Sequence, residues 1–526
     1  MVTKEYDIII VGGGINSLTA AALLAKKNKS ILLLESRDKL GGMATLEEFS
    51  PGFKCNMVYD YIRWIDPRLI KKLNLYKYGL EFQKVSSLRI ALDENKKHII
   101  FHNDLSKTAK SITTHSLKDG NKWIEFTQYI NKICKFLEPL YTITPPIISK
   151  IGIKDVLAMS NMLNPIWKHG RRGLIDIIRT IPMMMPELLD EWFESKLLRG
   201  SLAASGITNI TQGPFSAATV LNFIHHHVHA NGKIHNANFI KGGTHQFAKV
   251  LSNILKENSV VIKTNTTVKS INCKDGICSG VTTVSNQTYN GKIILSGLDP
   301  TNTFFKLVGS NKILPTFKTQ LNNIKYRGST ARVHFALKKC PNIPGISIDQ
   351  QDTIFSINPS EEYLERAYDD IKYGRISKNP YIEFSIPSLI HPNYAPNGKH
   401  VLSASVQYIP YHLKNQNWND KLKDEIINNV TNIIEKYIPN FSNLIINSKI
   451  TTPIDLEKSL GLTEGNLNQG EMTLDQFFFM RPTISTAQYK TPINNLYLCG
   501  CCTHPGGGLH GSNAVNAIRE INKILF

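Results

Sequence analysis

The sequence predicts an α/β fold: a Rossmann-like nucleotide-binding domain joined to a mixed-sheet and helical domain on the substrate side. Two stretches predict it. Residues 7–35, DIIIVGGGINSLTAAALLAKKNKSILLLE, read as strand, glycine turn, helix and strand. Residues 495–526, NLYLCGCCTHPGGGLHGSN continued by AVNAIREINKILF, read as strand, glycine-rich loop and helix.

In the first stretch, residues 8–11 are an unbroken apolar run, as in a strand buried on both faces. Gly12, Gly13 and Gly14 make a tight turn. Leu18, Ala21, Ala22 and Ala25 follow at helical spacing, and residues 31–34 form a second buried strand ending in Glu35. A pyrophosphate fits against the first turn of such a helix, at Ile15, Asn16 and Ser17, where free N–H groups and the helix dipole favour anions. Gly12 allows the turn, Gly14 lets backbone approach the phosphates, and Glu35 can accept ribose hydroxyls. Ser17 departs from the GxGxxG pattern, taking the third glycine's place where helix and strand pack closely.

After Gly243, Phe247, Val250, Leu251, Ile254 and Leu255 form one apolar helical face with Thr244 as its cap. VVIKTNTTVKSI reads as a strand, and CKDGICSGVTTV as a hairpin around Asp275 and Gly276. A further strand ends near Ser296 and Gly297. In the second predictive stretch, residues 496–499 form a strand, residues 500–511 a glycine-rich loop, and the last helix aligns Ala514, Ile518 and Ile521 on one face.

Length and composition set bounds. The 526 residues suit two to four folding units at roughly 150 residues each. The chain is 42 % hydrophobic, enough for large cores. Eight irregularly spaced cysteines form no disulfide framework, and a reducing compartment is the default. The net charge of +19 comes from evenly spread lysines. Without a helix-turn-helix, finger or aromatic-basic motif, no nucleic-acid partner is expected. No apolar run approaches the ~18 residues of a membrane span. The first strand begins at Tyr6, too early for a signal or transit peptide. A cytoplasmic protein is expected. Residues 151–189 mix Met, Ile and Trp with Lys168, Arg171, Arg172 and Arg179, which marks them either for peripheral membrane contact or for an internal apolar cavity wall.

Two clusters suggest metal and are read otherwise. Cys499 and Cys502 are followed by His504 and His510, but one residue separates the pairs where a finger needs about twelve. A redox pair at Cys499 and Cys502 lacks an immediate helix to lower a thiol pKa. These sulfurs read as packing residues. The HHHVH run at 225–229 lacks the glutamate of a zinc protease. It reads as a helix ended by Asn231 and Gly232, with His225 on the wall of a substrate cavity. No metal is expected.

Residues 35–45 resemble the second signature of the FAD-dependent amine oxidase and phytoene desaturase superfamily. They carry Glu35, Ser36, Arg37, Gly41, Gly42, Met43, Ala44 and Thr45. In that family this loop passes alongside the flavin phosphates and ribityl chain. NLYLCG, THPGGG and Gly511 resemble the C-terminal flavin motif of phytoene desaturases and β-carotene ketolases. They also resemble that of the group called pyridine nucleotide-disulphide oxidoreductase domain 2, as does GEMTLDQFFFMRP at 470–482. HPNYAPNGKH at 391–400 is desaturase-like.

The resemblance implies FAD, a flavin amine oxidase/phytoene desaturase-type fold, and cofactor contacts also from Val268, Gly500, Thr503, Gly508, Leu509 and Gly511. The last helix would point its N-terminus at the flavin N1–C2=O edge. Family position puts Tyr59, Met480, Arg481 and His504 on the flavin-facing wall. The cofactor domain would comprise 1–80, 236–300 and 485–526, leaving 81–235 and 301–484 to the substrate. The chain shows no second GxGxxG for a nicotinamide and no paired cysteines of the disulfide-reductase type. The reading is an FAD-dependent oxidoreductase moving a hydride through flavin N5 to or from an apolar, carotenoid- or isoprenoid-like substrate. Oxygen and a quinone are both open as electron acceptor, and no catalytic acid or base is named. The rivals are a flavin amine oxidase acting on an amine, in which an acidic residue usually stands where Cys501 follows Gly500, and an FAD-containing protein with a non-catalytic interaction role.

Overall fold

The computed structural model describes residues 5–147, 173 and 175–525. Strand Glu5–Val11 lies inside the first sheet, with Ile8, Ile9 and Ile10 fully buried because both faces of a parallel sheet are covered. It pairs in parallel with Ile31–Leu34 on one side and Thr288–Ser296 on the other. Val261–Lys263 extends the sheet beyond Ile31–Leu34, and the antiparallel strands Ile277–Thr283 and Val268–Lys274 extend it beyond Thr288–Ser296. Leu496–Leu498 also pairs with Thr288–Ser296, setting Leu498 opposite Ser296. Strands from both extremities and from the middle of the chain thus share one sheet. Helices Ile15–Ala25, His245–Glu257 and Ser512–Leu525 cover one face, packing Ala21, Ala22, Leu251 and Ile518 into a common core. Small residues on the first helix let its neighbours approach closely.

Four expectations need correction. VVIKTNTTVKSI is two strands, broken because Asn265 takes a positive φ and the N–H groups of Asn265 and Thr266 donate to Arg37 O and Glu35 O. The histidine helix, Thr219–His227, stops short of Asn231. His227 Nε2 accepts the His235 N–H at 3.0 Å, which draws the following turn back onto the helix end. Thr244 stands at the N-cap of His245–Glu257, but its hydroxyl donates to Asn56 Oδ1 and Tyr59 O instead. Cys273 and Cys278 are joined as a disulfide across the Asp275–Gly276 hairpin, on strands that line neither of the two central cavities.

The second sheet runs Ile445–Thr451, Thr330–Leu337, His400–Gln407, Tyr381–Ser385, Ile354–Ile357, Arg89–Ala91 and Ile99–Phe101. Neighbours are antiparallel except Ile354–Ile357 and Arg89–Ala91, which are parallel. All of Thr330–Leu337 is buried. Asp420–Tyr437 packs Ile426, Val430 and Ile434 into the core of this sheet. Leu117–Thr142, Lys196–Ile207 and Thr219–His227 build a helical layer with its own aromatic core around Trp123 and Phe126.

Among the described residues no helix is long and apolar enough to cross a membrane. Of the segment marked for membrane contact, residues 151–172 and 174, including Lys168, Arg171 and Arg172, lie outside the described residues. In the remainder Ile175 and Ile178 are exposed, Arg179 pairs with Glu191 at 2.6 Å, and Met185, Leu188 and Leu189 are core.

Candidate cofactor cleft and substrate cavity

The first glycine turn forms one side of a cleft. Gly12 has φ +93°, which opens the turn. Gly14 caps Ile15–Ala25 without a side-chain hydrogen bond, and no acidic residue stands in the first helical turn, so the helix presents bare N–H groups. A Cβ at Gly14 would meet nothing within 4 Å, whereas one at Gly13 would lie 2.9 Å from Glu35 Oε2. Glu35 accepts the Gly13 N–H at 2.5 Å, the Arg37 N–H at 2.8 Å and the Ser36 hydroxyl at 3.1 Å. Of the four or so lone-pair sites on a carboxylate, about one is left for a ribose hydroxyl. The second glycine loop lies on the first: Gly41 N–H donates to Gly13 O, and a Cβ at Gly42 would stand 3.2 Å from Gly14 Cα.

Ile15, Asn16, Ser17, Ser36, Arg37, Met43, Gly500, Cys501, Gly508 and Leu509 border this cleft with the glycines. Leu298, Leu460, Leu462 and Gln469, which no sequence signal marked, complete it. Asn16 Oδ1 is buried here without a partner among the described residues. The bare helix start, the open space over Gly14 and this orphaned oxygen fit a dinucleotide.

The remaining cofactor candidates do not border the cleft. Ala44 is fully buried and donates its N–H to Gly41 O. Val268 lies in its strand opposite Thr283. Thr503 Oγ1 donates to Gly500 O at 2.8 Å. Gly511, at φ +75°, turns the chain into Ser512–Leu525, where a Cβ would strike Leu69 Cδ2 at 2.6 Å.

A second cavity shares Gly508 and Leu509 with the cleft. Its wall comes from residues 58–64, from His225 and His226, and from the second sheet at Arg332, Phe384, Ser385, Ser403 and Ser405. Tyr59 and His225 border it; Met480, Arg481 and His504 do not. Tyr59 is partly buried, and burial raises its phenol pKa. Both His225 nitrogens are engaged. Nδ1 accepts from Tyr141 at 2.8 Å and Nε2 donates to Gly507 O at 3.0 Å, while burial pushes the pKa down to about 3. His510 also donates to Gly507 O and stacks on Trp64 with ring centroids 4.2 Å apart. Burial pushes its pKa down to about 4.

Arg481 is only 1 % exposed and donates to the carbonyls of Asn468, Gly470, Glu471, Gln476, Cys501 and Thr503 at 2.7–3.3 Å. It clamps two loops together from behind. His504 donates to Leu140 O and meets the edges of Tyr141, Phe477 and Phe478, so it too is enclosed. Met480 is partly buried. Cys499, Cys501 and Cys502 are free and buried, with the Cys499 and Cys501 thiols pushed up to about 12 by burial. Among the described residues no cluster is arranged to hold a metal.

Two ion pairs involve residues of the cavity wall. Asp60 pairs with Arg332 at 2.6 Å and accepts from Asn56 and Ser385. Glu383 pairs with Arg89 at 2.6 Å and accepts from Tyr61 and Tyr381. Burial works against the Glu383 charge, but Arg89 and then Arg63 outweigh it and hold its pKa below the ordinary value.

The sequence profile of the family described as "Flavin containing amine oxidoreductase" matches residues 18–514. The chain belongs to this family. The cofactor of this flavin-containing amine oxidoreductase is FAD. The chain is 28 % identical to pyridine nucleotide-disulfide oxidoreductase domain-containing protein 2 of Rattus norvegicus, over 99 % of this chain and 94 % of that one. It is 24 % identical to a limonene dehydrogenase subunit of Castellaniella defragrans, over 98 % and 94 %. Putrescine oxidase bound to putrescine shares the fold of this flavin oxidoreductase, with a TM-score of 0.59 at 12 % identity over the whole of both chains.

Proposed function

We propose that this FAD-dependent oxidoreductase exchanges a hydride with a substrate whose body is apolar and isoprenoid-like, of the carotenoid or terpenoid type. The observation that carries the reading is the second cavity. It meets the cofactor cleft at Gly508 and Leu509, and Val58, Ile62, Trp64, Ile354, Phe384 and Leu467 supply its apolar surface. Both carboxylates in its wall, Asp60 and Glu383, are already paired with arginines, leaving no free anion to receive an ammonium group. Limonene, which names one relative, is a terpene hydrocarbon. The putrescine oxidase likeness favours an amine on fold alone, and the guanidiniums around this cavity disfavour a cation.

When bound, FAD supplies a two-electron carrier at its N5. In this reading the chain's residues position and dry the site. Gly12, Gly13 and Gly14, with Ile15, Asn16 and Ser17, take the pyrophosphate, and Glu35 takes a ribose hydroxyl. Ser36, Arg37, Gly41, Gly42, Met43 and Gly500 flank the cofactor. Ala44, Val268, Thr503 and Gly511 set the backbone from behind. Leu509 and the Trp64–His510 stack exclude water where cleft and cavity meet, and His225 fixes that loop through Gly507. Met480, Arg481 and His504 support the wall rather than face the substrate.

The test is anaerobic. The purified flavoprotein is mixed with terpenoid and polyene hydrocarbons and, separately, with mono- and diamines, while flavin absorbance is followed. Bleaching by a hydrocarbon, or anaerobic reoxidation of photoreduced protein by a polyene, supports the reading. Bleaching by amines alone, with peroxide formed when air returns, overturns it. Adding oxygen or a quinone to the reduced protein then identifies the electron acceptor.

A further inference from the structure

Arg63 stands in the wall of the substrate cavity with no hydrogen-bond acceptor for its two terminal nitrogens among the described residues. Both atoms, Nη1 and Nη2, are buried. Its backbone is fixed: the Asn236 and Asn238 amides each donate to Arg63 O at 2.8 Å. The guanidinium lies 5.7 Å from the centroid of the Tyr61 ring.

The neighbouring arginines are different. Arg332 has Asp60 and Arg89 has Glu383. Among the described residues in and directly behind this wall, three guanidiniums therefore face two carboxylates. The adjacent histidines do not add to this positive excess, because burial, and then the Arg63 charge, disfavour protonation of His226 and His227. Burying an unpaired charge is expensive, and a guanidinium does not escape the cost by losing its proton. An arginine held by its backbone, with a free planar fork directed at a cavity, is arranged for a planar oxyanion.

We propose that the substrate is amphipathic, an apolar chain ending in an oxyanion, and that Arg63 is the residue that binds this anionic end. The proposal rests on the reading that the cavity beside the FAD cleft is the substrate site. It refines that reading from a hydrocarbon to an acid or a phosphate ester carrying a hydrocarbon tail. The apolar body lies along Trp64, Phe384 and Leu509, and the head is held at the Arg63 end.

The test measures binding to the FAD-loaded protein by perturbation of flavin absorbance and by calorimetry. The probes are dodecanoate, dodecyl phosphate, dodecanol and dodecylamine. The anions are expected to bind about tenfold to a hundredfold more tightly than the alcohol, with the amine weakest. The dodecanoate and dodecyl phosphate arms separate a carboxylate source from a phosphate source. Arg63→Gln should erase the preference for anions while leaving dodecanol binding unchanged, and Arg63→Lys should retain part of it. Equal binding of alcohol and anion by the unmodified protein overturns the proposal, and that comparison needs no variant. Anion preference that survives in Arg63→Gln also overturns it. Bleaching of the flavin by amines alone, with anion preference intact, would sink the redox reading and leave the Arg63 site standing.

Discussion

The hydroxyl of Ser17 lies where a side chain on Gly297 would begin: a Cβ built at position 297 would stand 2.0 Å from Ser17 Oγ. The serine that replaces the third glycine of the first glycine turn is accommodated by a glycine just past the end of the adjoining strand, 280 residues later in the chain (297 − 17). Gly297→Ala should therefore lower stability by about 1–3 kcal/mol, the usual cost of overpacking, and reduce bound flavin. The double variant Ser17→Gly/Gly297→Ala should recover most of both. A thermal-melt double-mutant cycle measures the coupling, and additive effects would refute it.

Glu35 holds the first glycine turn and the residue that opens the second loop through the same carboxylate. Each hydrogen bond to a charged group contributes about 1.5–3 kcal/mol. Glu35→Ala should raise the FAD dissociation constant by at least about tenfold, and Glu35→Gln by less. Fluorescence titration of the apoprotein checks the order.

Arg481 reaches six carbonyls on two loops and borders neither cavity. Arg481→Met should remove the guanidinium from all six carbonyls, of which only Glu471 O and Thr503 O keep a side-chain amide donor, destabilise the protein by about 3 kcal/mol or more, and expose residues 468–476 and 501–503 to protease. Urea unfolding and mapped proteolysis test this. A variant of wild-type stability that lost only substrate affinity would show instead that the side chain faces substrate.

The buried histidines set an acid limit. Burial lowers the pKa of His225 and His504 from 6.5 to about 3, and that of His510 to about 4. A ring that binds protons more readily when unfolded contributes stability in full above its unfolded value and loses it as pH falls toward the folded value. The urea midpoint should fall steadily from about pH 6.5 toward about pH 4, and His504→Gln should flatten that slope.

Local chemistry made the cofactor half readable. Continuous apolar strands, glycine turns and an acid at the end of the second strand declare a nucleotide site within thirty residues, and the C-terminal motif repeats the strand–loop–helix logic. The roles of Arg481 and Arg63 were not readable in the same way. Arg481 sits in a recognisable motif, yet whether its side chain faces substrate or backbone depends on carbonyls 5 to 13 residues before it and 20 to 22 after it. The Asp60–Arg332 pair joins positions 272 residues apart, and no periodicity connects them. His225 reads correctly as a cavity residue from its helix, whereas the end of that helix depends on His235, folded back from beyond the turn.

The first sheet closes only when Leu496–Leu498 docks beside Thr288–Ser296. A nascent chain leaving the ribosome therefore carries its phosphate-binding turn for nearly the whole of synthesis before the opposite lip of that cleft exists. With the flavin seated in this cleft as proposed, its acquisition would be a late event in biogenesis. A message interrupted anywhere upstream of Gly508 would yield a colourless product, however well its early portion folds.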